Sequence, residues 1–194
     1  MAKSTQSKEY HNRIRREKRR HVLRTIFELI VVVVLAALTA FVVFSSVILQ
    51  ESAMSPTLEA GNQVLVNRAA YILTGVRRGD VIAYRSSGTF DSGVHVKRVI
   101  GLPGETVQIT GDGRILVNDQ VLNEHYGLEV IKNPGRAAEK VTLGENEYFL
   151  MGDNRNNSLD SRDASIGNVN RSDLIGKAFI RVWPFDSFGI LKHQ

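Results

Sequence analysis

The sequence predicts a mainly β domain preceded by one N-terminal apolar helix that crosses a membrane, and two observations lead there. An uncharged run of 21 residues, Leu29–Leu49, follows a basic N-terminus. The residues after it fall into short β-branched runs separated by turn residues. Cysteine is absent from all 194 positions.

At about 1.5 Å per residue the uncharged run covers about 30 Å, the thickness of a hydrocarbon core. It is longer than the roughly 7–15 residues of a signal-peptide h-region, and Glu51-Ser52-Ala53 makes a poor cleavage site. An uncleaved anchor over residues 25–49 is therefore preferred to a removable leader. Residues 1–24 hold nine Lys/Arg against two acids, a net +7; with +5 for the whole chain, the remainder sums to −2. The positive-inside bias keeps this tail in the cytoplasm and puts residues 50–194 on the outer side of the cell membrane. The tail reads as a solvated segment at an anionic leaflet, and no nucleic acid is expected as a partner.

Without cysteine, disulfides, thiol catalysis and thiolate metal sites are excluded. The five histidines, His11, His21, His95, His125 and His193, show no paired ligand spacing, which argues against a zinc hydrolase. No metal or cofactor is implied.

Strands are predicted at Gln63–Asn67, Asp80–Tyr84, Val94–Ile100, Thr106–Ile109, Arg114–Val117, Tyr148–Met151 and Ile175–Trp183. Gly111-Asp112-Gly113 joins two of them as a hairpin, and Asn118-Asp119 marks another turn. Asn123–Asn146, with Pro134-Gly135 and mixed charges, reads as an insertion or long loop without identifiable chemistry. No internal repeat is present.

A hydrolytic site in such a chain needs a Ser or Thr nucleophile with a base, or a carboxylate pair. Lysine serves as a base only where burial disfavours its ammonium form. Lys97, inside the apolar run Val94-His95-Val96-Lys97-Arg98-Val99-Ile100-Gly101, is the one lysine so placed. In a strand it shares a face with His95 and Val99, opposite Val96, Arg98 and Ile100. By pattern alone such a lysine is an edge or snorkelling residue. Gly152–Arg162 is a polar run in which Leu159 is the single apolar side chain. It reads either as an exposed polar loop or as a buried one in which Asp160 pairs with Arg162 or Arg155.

Taken in order, five segments resemble the bacterial type I signal peptidases, most closely the single-span Gram-positive kind. They are Ala53-Met54-Ser55-Pro56-Thr57-Leu58, Gly61–Asn67, Gly79-Asp80-Val81-Ile82, Lys97–Glu105 and the Gly152–Arg162 loop. The resemblance implies a signal-peptidase-like β-rich catalytic domain with a serine/lysine pair, in which Lys97 is the general base. It implies that Ser158 helps hold that lysine, that Asp153, Asp160 and Arg162 support the loop, and that Met54, Pro56 and Val96 belong to the substrate-binding region. The implied partners are signal-peptide-bearing secretory precursors, with small residues at the first and third positions before the cut, and the lipid bilayer.

Position 53 departs from the family pattern, because alanine stands where the nucleophilic serine is expected. Ser52 would face the opposite side of an extended segment and Ser55 is pinned by Pro56, so neither is read as a replacement. Since Lys97, Ser158, Asp160 and Arg162 all match, Ala53 is read as a serine-to-alanine substitution that leaves a signal peptidase unable to cleave. The alternative is a naturally non-hydrolytic, signal-peptidase-like binding or pilus-assembly factor. A related self-cleaving transcriptional repressor is disfavoured by the anchor and by the lack of a DNA-reading module. Ala60-Gly61 and Tyr71–Val76 are expected to form apolar or membrane-near surface, and nothing in the sequence speaks to oligomeric state.

Overall fold

The structure, a computed structural model, describes residues 2–86, 93–127 and 129–191. His193 lies outside the described residues. The chain divides into two units, Met1–Val43 and Phe44–Gln194.

The first unit is one helix, α1 (Ala2–Val43). Its stretch Lys18–Val43 has a mean hydropathy of 2.9 over its most apolar window, none of that window buried within the protein. These 26 residues span about 39 Å, long and apolar enough to cross a bilayer core of about 30 Å. Arg24 and Glu28, one turn apart, form an exposed ion pair at 2.9 Å near the start of the uncharged run.

The uncharged run is not one helix. It leaves α1 at Val43, and Phe44–Ile48 forms a strand, β1, paired antiparallel with β2 (Gln63–Asn67) from Phe44↔Asn67 to Ile48↔Gln63. The expected anchor over 25–49 thus gives up its last residues to the second unit. Phe, Val and Ile suit a half-buried pleated surface as well as a helix, and available strand partners decide between them.

The second unit is mainly β. After β2 come a short helix, α2 (Ala70–Leu73), and then β3 (Val81–Arg85), β4 (Val94–Gly101), β5 (Thr106–Ile109), β6 (Ile115–Val117), β7 (Gln120–Val121) and β8 (Val141–Thr142). The series ends with β9 (Glu147–Met151), β10 (Val169–Asn170), β11 (Leu174–Trp183) and β12 (Gly189–Ile190). Among the described residues the larger sheet runs β1-β2-β11-β3-β4-β9-β10, with β12 also paired to β11, and the smaller runs β7-β6-β5-β8. Every pairing is antiparallel.

Alternation along β3 shows how the larger sheet feeds two cores. Val81 and Ala83 pack with Met54, Leu58, Val64, Val66 and Val96, whereas Ile82 and Tyr84 pack with Tyr71, Val99, Tyr148 and Leu150. A third core lies on the smaller sheet, where Ile100, Phe149 and Met151 meet Val107, Ile109 and Ile115. The contact there is close at Gly101, where a Cβ would stand 2.6 Å from side-chain carbons of both Leu143 and Val107.

Asn123–Asn146 is more than a loop. It supplies β8 and a 3₁₀ turn at Gly135–Ala138, and it buries Ile131, Ala137, Val141 and Leu143 in the third core. Its apolar residues are too widely spaced to show a period, so partners distant in sequence had to reveal their burial. The Tyr71–Val76 segment also divides, since Tyr71 is buried and Ile72 is exposed.

Candidate active site

The turn between β1 and β2 carries Ala53 and is tied down from both sides. Ser55 N–H donates to Ser52 C=O and Leu58 N–H to Met54 C=O, which folds the segment into successive tight turns. Met54 and Leu58 point into the core, and Ala53 is 3% exposed. The loop after β9 clamps it from the other side: Asn154 N–H donates to Ala53 C=O at 3.0 Å, Asn154 Nδ2 to Ser52 C=O, and Asn157 Nδ2 to Ser52 Oγ. Thr57 Oγ1 donates to Asp153 at 2.6 Å.

That loop, Gly152–Arg162, is the buried alternative. Asp153, Arg155, Asp160, Ser161 and Arg162 are all buried, while Leu159, its one apolar residue, is 48% exposed. Charges are tolerated inside because each is paired and hydrogen-bonded. Asp160 takes a two-pronged contact from Arg162, at 2.8 and 2.9 Å, and also accepts Gly152 N–H. Asp153 takes the matching contact from Arg98 of β4, at 2.7 and 2.6 Å. Arg98 also lies 3.7 Å from the ring centre of Tyr126. Arg155 pairs with Glu124, so the choice left open for Asp160 falls to Arg162.

Gly152 is where the two segments touch. A Cβ there would sit 2.3 Å from Ala53 C=O and 2.3 Å from Ser158 Oγ, so only glycine permits this approach. Ser158 Oγ is buried and has no hydrogen-bond partner among the described residues.

Lys97, 1% exposed, pairs across the sheet with Ile82. Together with His95 it reaches one carboxylate, Glu51: Lys97 Nζ lies 3.3 Å from Oε2, and His95 Nδ1 lies 2.7 Å from Oε1. Among the described residues Lys97 thus contacts Glu51 and makes no hydrogen bond to Ser158, the residue that the resemblance expects to help hold it. The His95 hydrogen bond and the charge of Lys97 hold the Glu51 carboxyl at about 2, against an ordinary 4.5.

Ala53, Met54, Val96 and Lys97 share the wall of a cleft of about 540 Å³, bounded by residues 46–51 on one side and 93–97 on the other. Pro56 does not line this cleft. Asp153, Asp160 and Arg162 stand behind it as scaffold. Glu51 was not legible in the sequence, where it is one polar residue after an apolar run. His95 carried a weak signal, since in a strand it shares the face of Lys97 two residues on. No group of three or more His, Cys, Asp or Glu that could hold a metal ion occurs among the described residues.

The other serines of the turn are engaged elsewhere. Ser55 Oγ donates to Glu59 at 2.7 Å, and Ser52 Oγ accepts from Asn157. Lys97 has a hydrogen bond with neither. Lys97 and Ala53 thus line one cleft, and position 53 has no hydroxyl.

The profile of the family described as signal peptidase, peptidase S26, matches residues 22–183. A signal peptidase I of Leptolyngbya laminosa is 39% identical over 169 residues, covering 82% of this chain and 78% of that protein. The signal peptidase I of Bacillus caldolyticus is 36% identical, covering 82% and 90%, and signal peptidase I U of Bacillus subtilis strain 168 is 32% identical, covering 87% and 92%. A crystal structure of a signal peptidase I from Enterococcus faecalis V583 is 31% identical and aligns over 53% of this chain and 95% of that one, with a TM-score of 0.43. With the family profile matched over most of its length and relatives this similar, the chain belongs to the signal peptidase family, peptidase S26.

Proposed function

We propose that this chain is a membrane-anchored signal peptidase of the serine/lysine type, held in a non-cleaving state by alanine at the nucleophile position. It binds signal-peptide-bearing precursors and does not cut them. The observation that carries this reading is the state of the site around Ala53. Lys97 is buried and paired with Glu51, Ser158 Oγ is buried without a partner among the described residues, and both neighbouring serines are turned elsewhere.

Binding survives this loss. β1 is the end strand of its sheet among the described residues, and its residues face the start of β4 across the cleft. A precursor segment can enter as an added strand, with backbone hydrogen bonds giving affinity and alternate side chains filling pockets. The Ala53 N–H donates to no group among the described residues, which leaves it free to serve as an oxyanion donor in this reading. With a hydroxyl at 53, Lys97 in its neutral form would take the hydroxyl proton as the oxygen attacks the scissile carbonyl; the lysine would then give that proton to the leaving amine as the C–N bond breaks, and water would hydrolyse the resulting acyl-enzyme. The anchor keeps site and precursor on one surface, which raises their effective concentration.

Ala53→Ser tests the reading on a secretory precursor in detergent or lipid. The serine form should release the mature fragment at least 1,000-fold faster than the alanine form, since loss of a serine nucleophile costs about 10⁶ in kcat in a serine protease. Release by neither would overturn the peptidase reading in favour of a non-hydrolytic binding or pilus-assembly factor.

A further inference from the structure

A second hollow, of about 470 Å³, continues the cleft beyond its shared residues Ser46, Val47 and Val94. Its far wall holds two guanidinium groups, Arg68 after β2 and Arg85 at the end of β3. Both residues are exposed, and neither side chain has a hydrogen-bond or ion-pair partner among the described residues. Ser45 Oγ, on the β1 side of the same hollow, is buried and also without a partner. Among the described residues Asp173 is the one carboxylate on the wall, which leaves their part of the lining with a net positive charge.

Strand register places this hollow along the chain. Phe44 pairs with Asn67, the residue before Arg68; Arg85 pairs with Val94; Leu174 pairs with Tyr84. These pairings gather Phe44, Arg68, Arg85 and Leu174 at one end of the sheet. Phe44 follows Val43, the last residue of the membrane-spanning helix. Ser45 is two residues past that helix, a reach of about 7 Å at most in extended chain. Along the chain, Ser45 therefore stays close to the end of that helix.

We infer that this hollow binds the phosphodiester of an anionic lipid headgroup at the membrane end of the substrate cleft. Two guanidinium groups offer forked N–H donors that match phosphate oxygens, and the Ser45 hydroxyl adds a third donor. The cationic choline of phosphatidylcholine would be repelled there, so phosphatidylglycerol, whose headgroup carries no positive charge, is favoured. Such a contact fixes the cleft mouth at the level where an apolar precursor segment leaves the bilayer. The lipid site stands without the peptidase reading; its use in presenting precursors rests on it.

The test uses the full chain, alanine at 53 included, so its outcome is independent of cleavage. Phosphatidylglycerol is titrated into detergent-solubilised protein, and bound lipid is counted by native mass spectrometry. Three forms are compared: the unaltered chain, Arg68→Gln/Arg85→Gln, and Arg114→Gln/Lys140→Gln, which removes two positive charges elsewhere in the domain. All three retain the basic tail, so the differences report the hollow. The expected result is at least fivefold weaker retention by Arg68→Gln/Arg85→Gln alone, with folding verified by circular dichroism. Ser45→Ala, which removes only a hydroxyl, should weaken retention by a smaller factor. Equal retention by all forms, an equal loss in the control variant, no preference over phosphatidylcholine, or full displacement of the lipid by millimolar inorganic phosphate would each overturn the proposal.

Discussion

Glu51 is the residue on which the state of the site turns, because it bonds to both His95 and Lys97 at the mouth of the cleft. Its carboxyl is depressed from 4.5 to about 2, so the ion pair contributes stability in full above about 4.5 and loses it as pH falls from there towards 2. The Glu51 side chain is 43% exposed, and solvent screening limits the contribution to about 1 kcal/mol. Glu51→Gln should accordingly melt below the unaltered chain at pH 6, and the gap should narrow at pH 2.5. Differential scanning calorimetry at the two pH values decides this; an unchanged gap would mean that packing, and not charge, is what Glu51 contributes.

At the scale of elements, the clamp between β4 and the loop after β9 rests on the Arg98–Asp153 pair, in which both side chains are fully buried. Removing one partner leaves the other charge uncompensated, a loss of about 3–5 kcal/mol. Arg98→Met should therefore lower unfolding free energy by about that amount in a urea titration. Arg98→Met/Asp153→Asn should recover part of the loss, since no bare charge remains. If the double variant is no more stable than the single, the pair is not the source of the loss. The same loop shows what pattern conceals. Its run of Asp, Asn, Arg and Ser is consistent with a solvated turn, and tertiary pairing made it interior. Composition could not decide, because a polar side chain is equally at home in water or beside a buried partner.

For the whole molecule, the boundary between helix and domain lies at Val43/Phe44. β1 belongs to the domain: it edges the larger sheet, lines the cleft and pairs along its full length with β2. A chain beginning at Phe44 should fold cooperatively and keep the cleft. A chain beginning at Gln50, the boundary that hydropathy suggests, should lose the edge strand, expose Val64 and Val66, and melt several degrees lower. Comparing the two truncations by thermal denaturation tests the boundary; equal midpoints would show that β1 is dispensable.

The sequence by itself determined the apolar helix, the β-rich class and most strand positions, because hydrophobic period and turn residues are local properties. Predicted strands such as Gln63–Asn67 and Thr106–Ile109 coincide with observed ones for that reason. It also determined that position 53 carries no hydroxyl. Only the tertiary structure decided where the apolar run stops being helix, that Asn123–Asn146 closes a core, and that Lys97 rests against Glu51 rather than Ser158. Each of these depends on groups distant along the chain, whose encounter is set by sheet register and by the requirement that buried charges find partners.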